Sequence, residues 1–408
     1  MKLKSEADDF QVEELTSHTV SHGAFSLYRL TKEHLGTLEA IQAIASAWHL
    51  DLREIAFGGL KDKHAKTTQF LTILKGPATD LQQKSFKLEF LGHSSRPYTA
   101  QDIQGNRFAI RLRDVPVNKK AAIEKILEDP ALGVPNYFDD QRFGSLGESG
   151  QFCAEAWCRG DYDRALWLAL ADFNPHDRPR ERQQKQLLQE HWYDWAWLSK
   201  HLDRSHRRDA AEILNRNSSD FRVALTTIRH DLRGLYLAAF QSHLWNELLA
   251  QWIASLAGSK TIRTQGAAGE LIFPEIIDAD ILGKLSRTEI PLPSARIAQW
   301  PPEFAPLIQQ ITARYKLTPK QIRVKYPRDT FFSKGQRSAL TKVQDLEFLW
   351  ESVSLVSHLP PNTPVSSDRC IDLLLRFTLQ RGSYATMLIR WLRASLDSRD
   401  EPNSRDAQ

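Results

Sequence analysis

Phe57-Gly58-Gly59-Leu60-Lys61-Asp62-Lys63-His64-Ala65 sets a carboxylate between two lysines. Neighbouring cations favour the anionic form of such a carboxylate, the form that can act as nucleophile or base. Ile55 and Phe57 alternate as in a short strand, and the two glycines allow a tight turn or close backbone approach to a ligand. A solvated turn has the same composition, so this stretch by itself does not establish catalysis, and His64 stands on the same footing. A second stretch, Asn136-Tyr137-Phe138-Asp139-Asp140-Gln141-Arg142-Phe143-Gly144, crowds amides, an arginine and three aromatic rings together. Such a set can hold a planar base by stacking and by hydrogen bonds to its edge. Taken alone, a helix start with Phe138 and Phe143 packed inward is the plainer reading.

A third stretch is basic. Residues 321–342 carry Arg323, Lys325, Arg328, Lys334, Arg337 and Lys342 against Asp329 alone, with Tyr326, Phe331 and Phe332 among them. Cations meet phosphates and rings stack on bases, so the pattern suits RNA; a solvated basic face would look the same. Residues 176–208, with eight Lys/Arg and five Asp/Glu, could likewise be solvated or RNA-facing. The overall balance of 54 basic to 50 acidic residues is too even to identify a polyanionic partner.

Other chemistries are excluded. Cys153, Cys158 and Cys370 form no C-x-x-C pair, which argues against a disulfide scaffold, a zinc site or a zinc-dependent base deaminase, and suits a reducing cytoplasm. No phosphate-cradling G-x-x-x-x-G-K-[ST], no H-E-x-x-H and no glycine-rich methyl-donor loop is present. The run Gly144-Ser145-Leu146-Gly147-Glu148-Ser149-Gly150 matches none of these and reads as a flexible connector.

The elements that must position these residues follow from periodicity. Phe10 and Val12, then Phe86, Leu88 and Phe90, then Phe108, Ile110 and Leu112, alternate as strands. Thr37 is placed to cap a helix carrying Leu38, Ile41, Ala45 and Trp48, and a second helix near 118–128 stops at Asp129-Pro130. Irregularly interleaved strands and helices predict an α+β sheet domain. Residues 161–257 read as helical, with Trp192, Trp195 and Trp197 as packing residues and a long helix through Leu237, Phe240, Leu244 and Leu248. Residues 258–306 read as loop. A strand over 372–378 and a helix through Met387 and Trp391 follow, and 397–408 reads as a frayed tail.

The 408 residues, 41% hydrophobic and 25% charged, suit two globular domains. No apolar run approaches the roughly 20 residues of a membrane span, and MKLKSEADDF is not a secretory signal.

Taken together, the motifs resemble the tRNA pseudouridine synthase D family. GGLKDKHA is similar to its G-x-K-D loop and NYFDDQRFG to its N-Y-F-x-x-Q-R-F-G segment. In the same order stand Lys4 with Asp9-Phe10-Gln11-Val12-Glu13, then Gly105-Asn106-Arg107-Phe108, then Leu235-Tyr236, Phe240-Gln241-Ser242 and Leu244-Trp245-Asn246, and finally Gly382-Ser383-Tyr384-Ala385-Thr386 with Arg390. The resemblance implies isomerisation of a tRNA uridine, in the bacterial branch uridine 13, without metal, ATP or organic cofactor. It implies a V-shaped molecule: a synthase sheet domain over 1–158 and 345–396, interrupted by an inserted domain over 159–344. By position Asp62 takes the catalytic aspartate, Lys61 and Lys4 take basic cleft positions, and Asn136 and Phe138 take the base-holding positions. Arg142, Arg323, Lys325 and Arg337 are the expected RNA contacts, in a cytoplasmic monomer whose partner is tRNA. Three departures stand out: Asp139 where many members have Gly, Trp391 in place of an acid, and a long 160–230 stretch. The competing reading is an inactive RNA-binding protein or tRNA folding chaperone, which loss of Asp62 or of the Asn136–Phe138 pair would have favoured; both are intact.

Overall fold

Alternating apolar residues in the first third of the chain and near its end build one mixed sheet. A computed structural model describes residues 2–3, 6–63, 65–129, 132–275, 279–352 and 370–397. In spatial order the sheet runs Gln344–Ser352, Cys370–Gln380, Ile103–Pro116, Phe10–Thr16, Lys66–Leu74, Phe25–Lys32, Phe86–Ser94 and Leu81–Gln83. Lys2–Leu3 adds to Ile103–Pro116, and Ile55–Phe57 adds to Lys66–Leu74. Only Phe10–Thr16 and Lys66–Leu74 run parallel among the described pairs, which makes the sheet mixed and the fold α+β. Phe10, Val12, Phe108, Ile110 and Phe377 share its buried face, where Phe108 stacks on Phe377 at 5.5 Å. The helix Thr37–Trp48 buries Ile41, Ile44 and Ala45 against Tyr28, Leu30, Leu71 and Ile73.

Thr37 does not cap that helix. Gly36 holds the cap position, its N–H donating to Glu39 at 3.0 Å, which leaves the Thr37 hydroxyl for other use. The strand expected over 372–378 spans Cys370–Gln380, and the following helix spans Ala385–Asp397 with Trp391 buried.

Contacts divide the chain into two units, 1–134 with 341–408, and 135–340. The breaks thus fall at 134/135 and 340/341 rather than at the expected 158/159 and 344/345. The cause is the long helix His230–Ala257, which draws residues 136–152 onto itself: Asn246 grips Phe138 and His243 stacks on Phe152 at 4.7 Å. That helix buries residues on several faces and is the spine of the second unit. Residues 161–229 add short helices, and Trp195 is buried among them as expected.

Two loop expectations are corrected. Residues 258–306 contain an antiparallel hairpin, Thr261–Gly266 with Gly269–Pro274, the helix Ala279–Arg287 and the strand Glu289–Pro291. Pro274 and Pro291 only end these strands, while Leu271, Ile272 and Phe273 are buried. The glycine run 144–150 is pinned rather than a flexible connector: Ser149 donates to Asp172 at 2.6 Å, and Glu148 N–H to the Phe173 carbonyl at 2.7 Å. Among the described residues no helix is long and apolar enough to cross a membrane.

Candidate active site

The Asp62 segment links Ile55–Phe57 to Lys66–Leu74, two antiparallel neighbours in the sheet. Its backbone is anchored from below by three side chains. The Thr37 hydroxyl accepts the Lys61 N–H at 2.9 Å and donates to Gln69 at 2.9 Å, and the Gln69 amide reaches the Gly59 carbonyl at 3.3 Å. The Lys32 ammonium donates to the carbonyls of Leu35 at 2.7 Å, Asp62 at 2.9 Å and Lys61 at 3.4 Å. Asp62 itself is partly buried.

The lysines flanking Asp62 aim their charges at other carboxylates. Lys61 Nζ lies 2.9 Å from Glu14 Oε2 and donates to Asn106 Oδ1 at 2.6 Å; Lys63 pairs with Glu39 at 2.9 Å. The Glu14 side chain is fully buried, and its other oxygen accepts the Tyr98 hydroxyl at 2.8 Å. Lys61 therefore acts as a strut from the loop to two adjacent strands. Lys32, which is 1% exposed, also feels the charge of Asp62. Burial lowers its ammonium to about 8, and the negative charge of Asp62 pulls the other way.

Lys32, Glu14 and Asn106 were not singled out from the sequence. Glu14 and Asn106 lie beside or inside quoted motifs. For Lys32 the signal was its register: Tyr28, Leu30 and Lys32 fall on one face of the strand Phe25–Lys32, and all three are buried. A lysine in a strand's apolar register must find fixed acceptors, because a buried charge without them is strongly disfavoured. Lys4 and His64 lie outside the described residues.

The second unit holds the other stretch. Asn136 is buried, and its Nδ2 donates to the Ser338 carbonyl at 3.0 Å. Arg337 donates from Nε to the Asn136 carbonyl and from Nη2 to Asn136 Oδ1, both at 2.7 Å, and lies 4.2 Å from the Phe138 ring centroid. Asn246 holds Phe138 through both its N–H and its carbonyl, each at 2.9 Å, while Trp245 meets the Phe138 ring edge-on at 5.5 Å. Arg142 donates to Ser242 at 3.2 Å and lies 5.7 Å from the same ring. Asn136, Phe138, Arg142 and Arg337 are thus brought together. Arg337, an expected RNA contact, clamps the 136–138 turn and lies over Phe138. Arg323 and Lys325 are exposed and stand apart from this cluster in the contacts they make.

Comparison with known proteins identifies the family. The tRNA pseudouridine synthase D family model matches residues 1–392. The tRNA pseudouridine synthase D of Aquifex aeolicus is 25% identical over 402 residues, covering 96% of this chain and 98% of that protein. A Methanocaldococcus jannaschii relative carrying the same family name is 26% identical over 405 residues, covering 96% and 91%. A crystal structure from Methanosarcina mazei, assigned to the same family, superposes with a TM-score of 0.69 at 21% identity over 97% of this chain and 93% of that one, and so shares the fold. The chain belongs to the tRNA pseudouridine synthase D family, a class of isomerases that convert uridine to pseudouridine in tRNA.

Two predictions follow from the loop's anchoring. Lys32→Met removes the shared donor of three carbonyls, so turnover should fall roughly 10- to 100-fold through mispositioning, with tRNA affinity near wild type. The native state also gives up this proton near pH 8, whereas the unfolded chain holds it to the ordinary lysine range near 10.5. Wild type should therefore gain stability relative to Lys32→Met as pH rises across that window, read by melts at stepped pH. A Cβ on Gly58 would lie 2.7 Å from Ile103 Cδ1 and 2.9 Å from Tyr98 Cε1, whereas one on Gly59 meets only Ile103 at 4.0 Å. Gly58→Ala should cost about 1–3 kcal/mol by overpacking, while Gly59→Ala should melt like wild type.

Proposed function

We propose that Asp62 is the carboxylate that isomerises the uridine, and that uridine 13 of tRNA is the target. The reaction breaks the bond from C1′ to N1, turns the uracil, bonds C1′ to C5 and expels the C5 hydrogen as a proton, while N1 takes up a proton from solvent. A carboxylate can attack C1′ or C6, or take a sugar proton in a glycal route, and each route requires Asp62 in its anionic form. The observation that carries the reading is the anchoring of this loop: Lys32, Thr37, Gln69 and Lys61 fix the backbone on both sides of Asp62, as precise placement of a reacting group demands. Lys61 serves by holding the loop, and Lys4 is assigned with it on the resemblance. Phe138 offers the face on which a flipped base stacks, with Asn136 and Arg142 completing that surface. Arg323 and Lys325 contact phosphates.

Asp62→Asn keeps the size of the side chain and removes its charge. It should fold and bind tRNA as tightly as wild type or more so, and release no tritium from tRNA labelled at uridine C5. Wild-type release from the variant would reject Asp62. Absence of release by wild type on any tRNA pool would favour the RNA-binding or chaperone reading. Mapping pseudouridine in RNA from cells with and without the gene identifies the position.

The phosphate role has its own test. Arg323→Ala with Lys325→Ala should weaken tRNA binding and reduce its salt slope by about 2. An unchanged slope would remove these residues from the RNA surface.

A further inference from the structure

Phe331 is 58% exposed, although its neighbours Thr330 and Phe332 are buried. The Arg296 guanidinium lies 4.8 Å from its ring centroid. The pair rests on a fixed frame. Ile290 faces Arg337 in a two-strand ladder, Leu292 N–H donates to the Gly335 carbonyl and Ala295 N–H to the Ile322 carbonyl, both at 2.9 Å. Gln241, from the long helix, ties Pro293 and Ser333 together through its Nε2 at 3.1 and 2.9 Å. A second ring in the same segment, Tyr326, carries Arg222 at 4.5 Å.

The charge around this ring is one-sided. Among the described residues, exposed Arg296, Arg323, Lys325, Arg328 and Lys334 have no carboxylate within ion-pairing distance. The one acid of the stretch, Asp329, is taken by Arg233 through two bonds of 3.0 and 2.9 Å. Elsewhere in the unit the outcome is the opposite: Arg180, Arg182, Lys185 and Arg207 each pair with a carboxylate within 3.0 Å. Unneutralised cations in the same segment as a solvent-facing ring, with a guanidinium 4.8 Å from the ring centroid, match a nucleotide, whose base offers a flat face and whose phosphates offer charge.

We propose that Phe331, backed by Arg296, is a stacking platform for one unstacked nucleobase of the tRNA substrate, other than the uridine that is isomerised. The neighbouring cations take the flanking phosphates. The proposal rests on the reading of this chain as an enzyme of tRNA, and it extends the RNA surface from charge contacts to a defined base contact.

The test compares wild type, Phe331→Ala and Phe331→Trp for affinity toward an unmodified, fluorescently labelled tRNA transcript and toward a blunt RNA duplex of similar length. Phe331→Ala should bind tRNA roughly 5- to 150-fold more weakly. Phe331→Trp should restore binding, and all three proteins should bind the duplex alike, because a paired base offers no free face. In tritium release the loss should appear mainly in KM, with kcat at saturating tRNA falling far less. Melting curves of the three proteins should coincide, since the ring is exposed. Wild-type tRNA affinity in Phe331→Ala would overturn the platform, as would equal losses on tRNA and duplex, or tighter binding of an acidic peptide than of tRNA. Absence of tritium release by wild type would overturn the isomerase reading alone, because the affinity comparison needs no turnover.

Discussion

The buried ammonium of Lys32 is the constraint from which the first unit's site follows. Desolvating such a charge costs on the order of several kcal/mol unless fixed acceptors replace water. Here the acceptors are the carbonyls of Leu35, Lys61 and Asp62, so the lysine and the loop stabilise one another. If the loop drifts, the ammonium loses acceptors it cannot replace. The same logic recurs two and three strands away, where Lys61 meets the buried carboxylate of Glu14 and the amide of Asn106. One buried and one partly buried cation thus convert a glycine-containing connection, which would otherwise sample many conformations, into a fixed support for one carboxylate.

The second unit solves a similar problem with a guanidinium instead of an ammonium. Arg337 has several donors in one plane, so it can bond to Asn136 twice while its flat face lies on Phe138. Asn246 closes the other side by pairing with the Phe138 backbone in both directions. The ring is oriented by groups that hold it without covering it entirely. A lysine in place of Arg337 would keep the charge but lose both the fork and the stack.

The sheet, the long helix and the two motif stretches were legible because each is written in local periodicity or in an uninterrupted run of residues. What was not legible depended on partners distant in sequence. Thr37 looked like a helix cap because threonine suits that position, but Gln69 and the Lys61 N–H, brought near by strand pairing, claimed its hydroxyl. Arg337 sits in a basic run and reads as part of it; only its hydrogen bonds to Asn136, 201 residues away in sequence, show where its side chain turns. Residues 258–306 read as loop because prolines outweighed a short hairpin whose apolar residues find their cover on another element. The break between units is illegible for the same reason, since composition changes near 160 while packing changes at 134.

Charge runs show most clearly why composition underdetermines function. Residues 176–208 and 321–342 are both rich in Lys and Arg, and their sequences alone do not separate a solvated face from a binding face. In the first, the fold brings acids from 8 to 34 residues away alongside the cations, so most of the field cancels internally. In the second, among the described residues, no acid comes alongside the exposed cations, and the one acid of the run is drawn to Arg233. A field that cancels within about a Debye length steers nothing, whereas one left uncancelled attracts a polyanion from a distance. For an enzyme whose substrate is tRNA, the second run is the one whose field is left to act at a distance, and ion pairing, more than the number of cations, decides it.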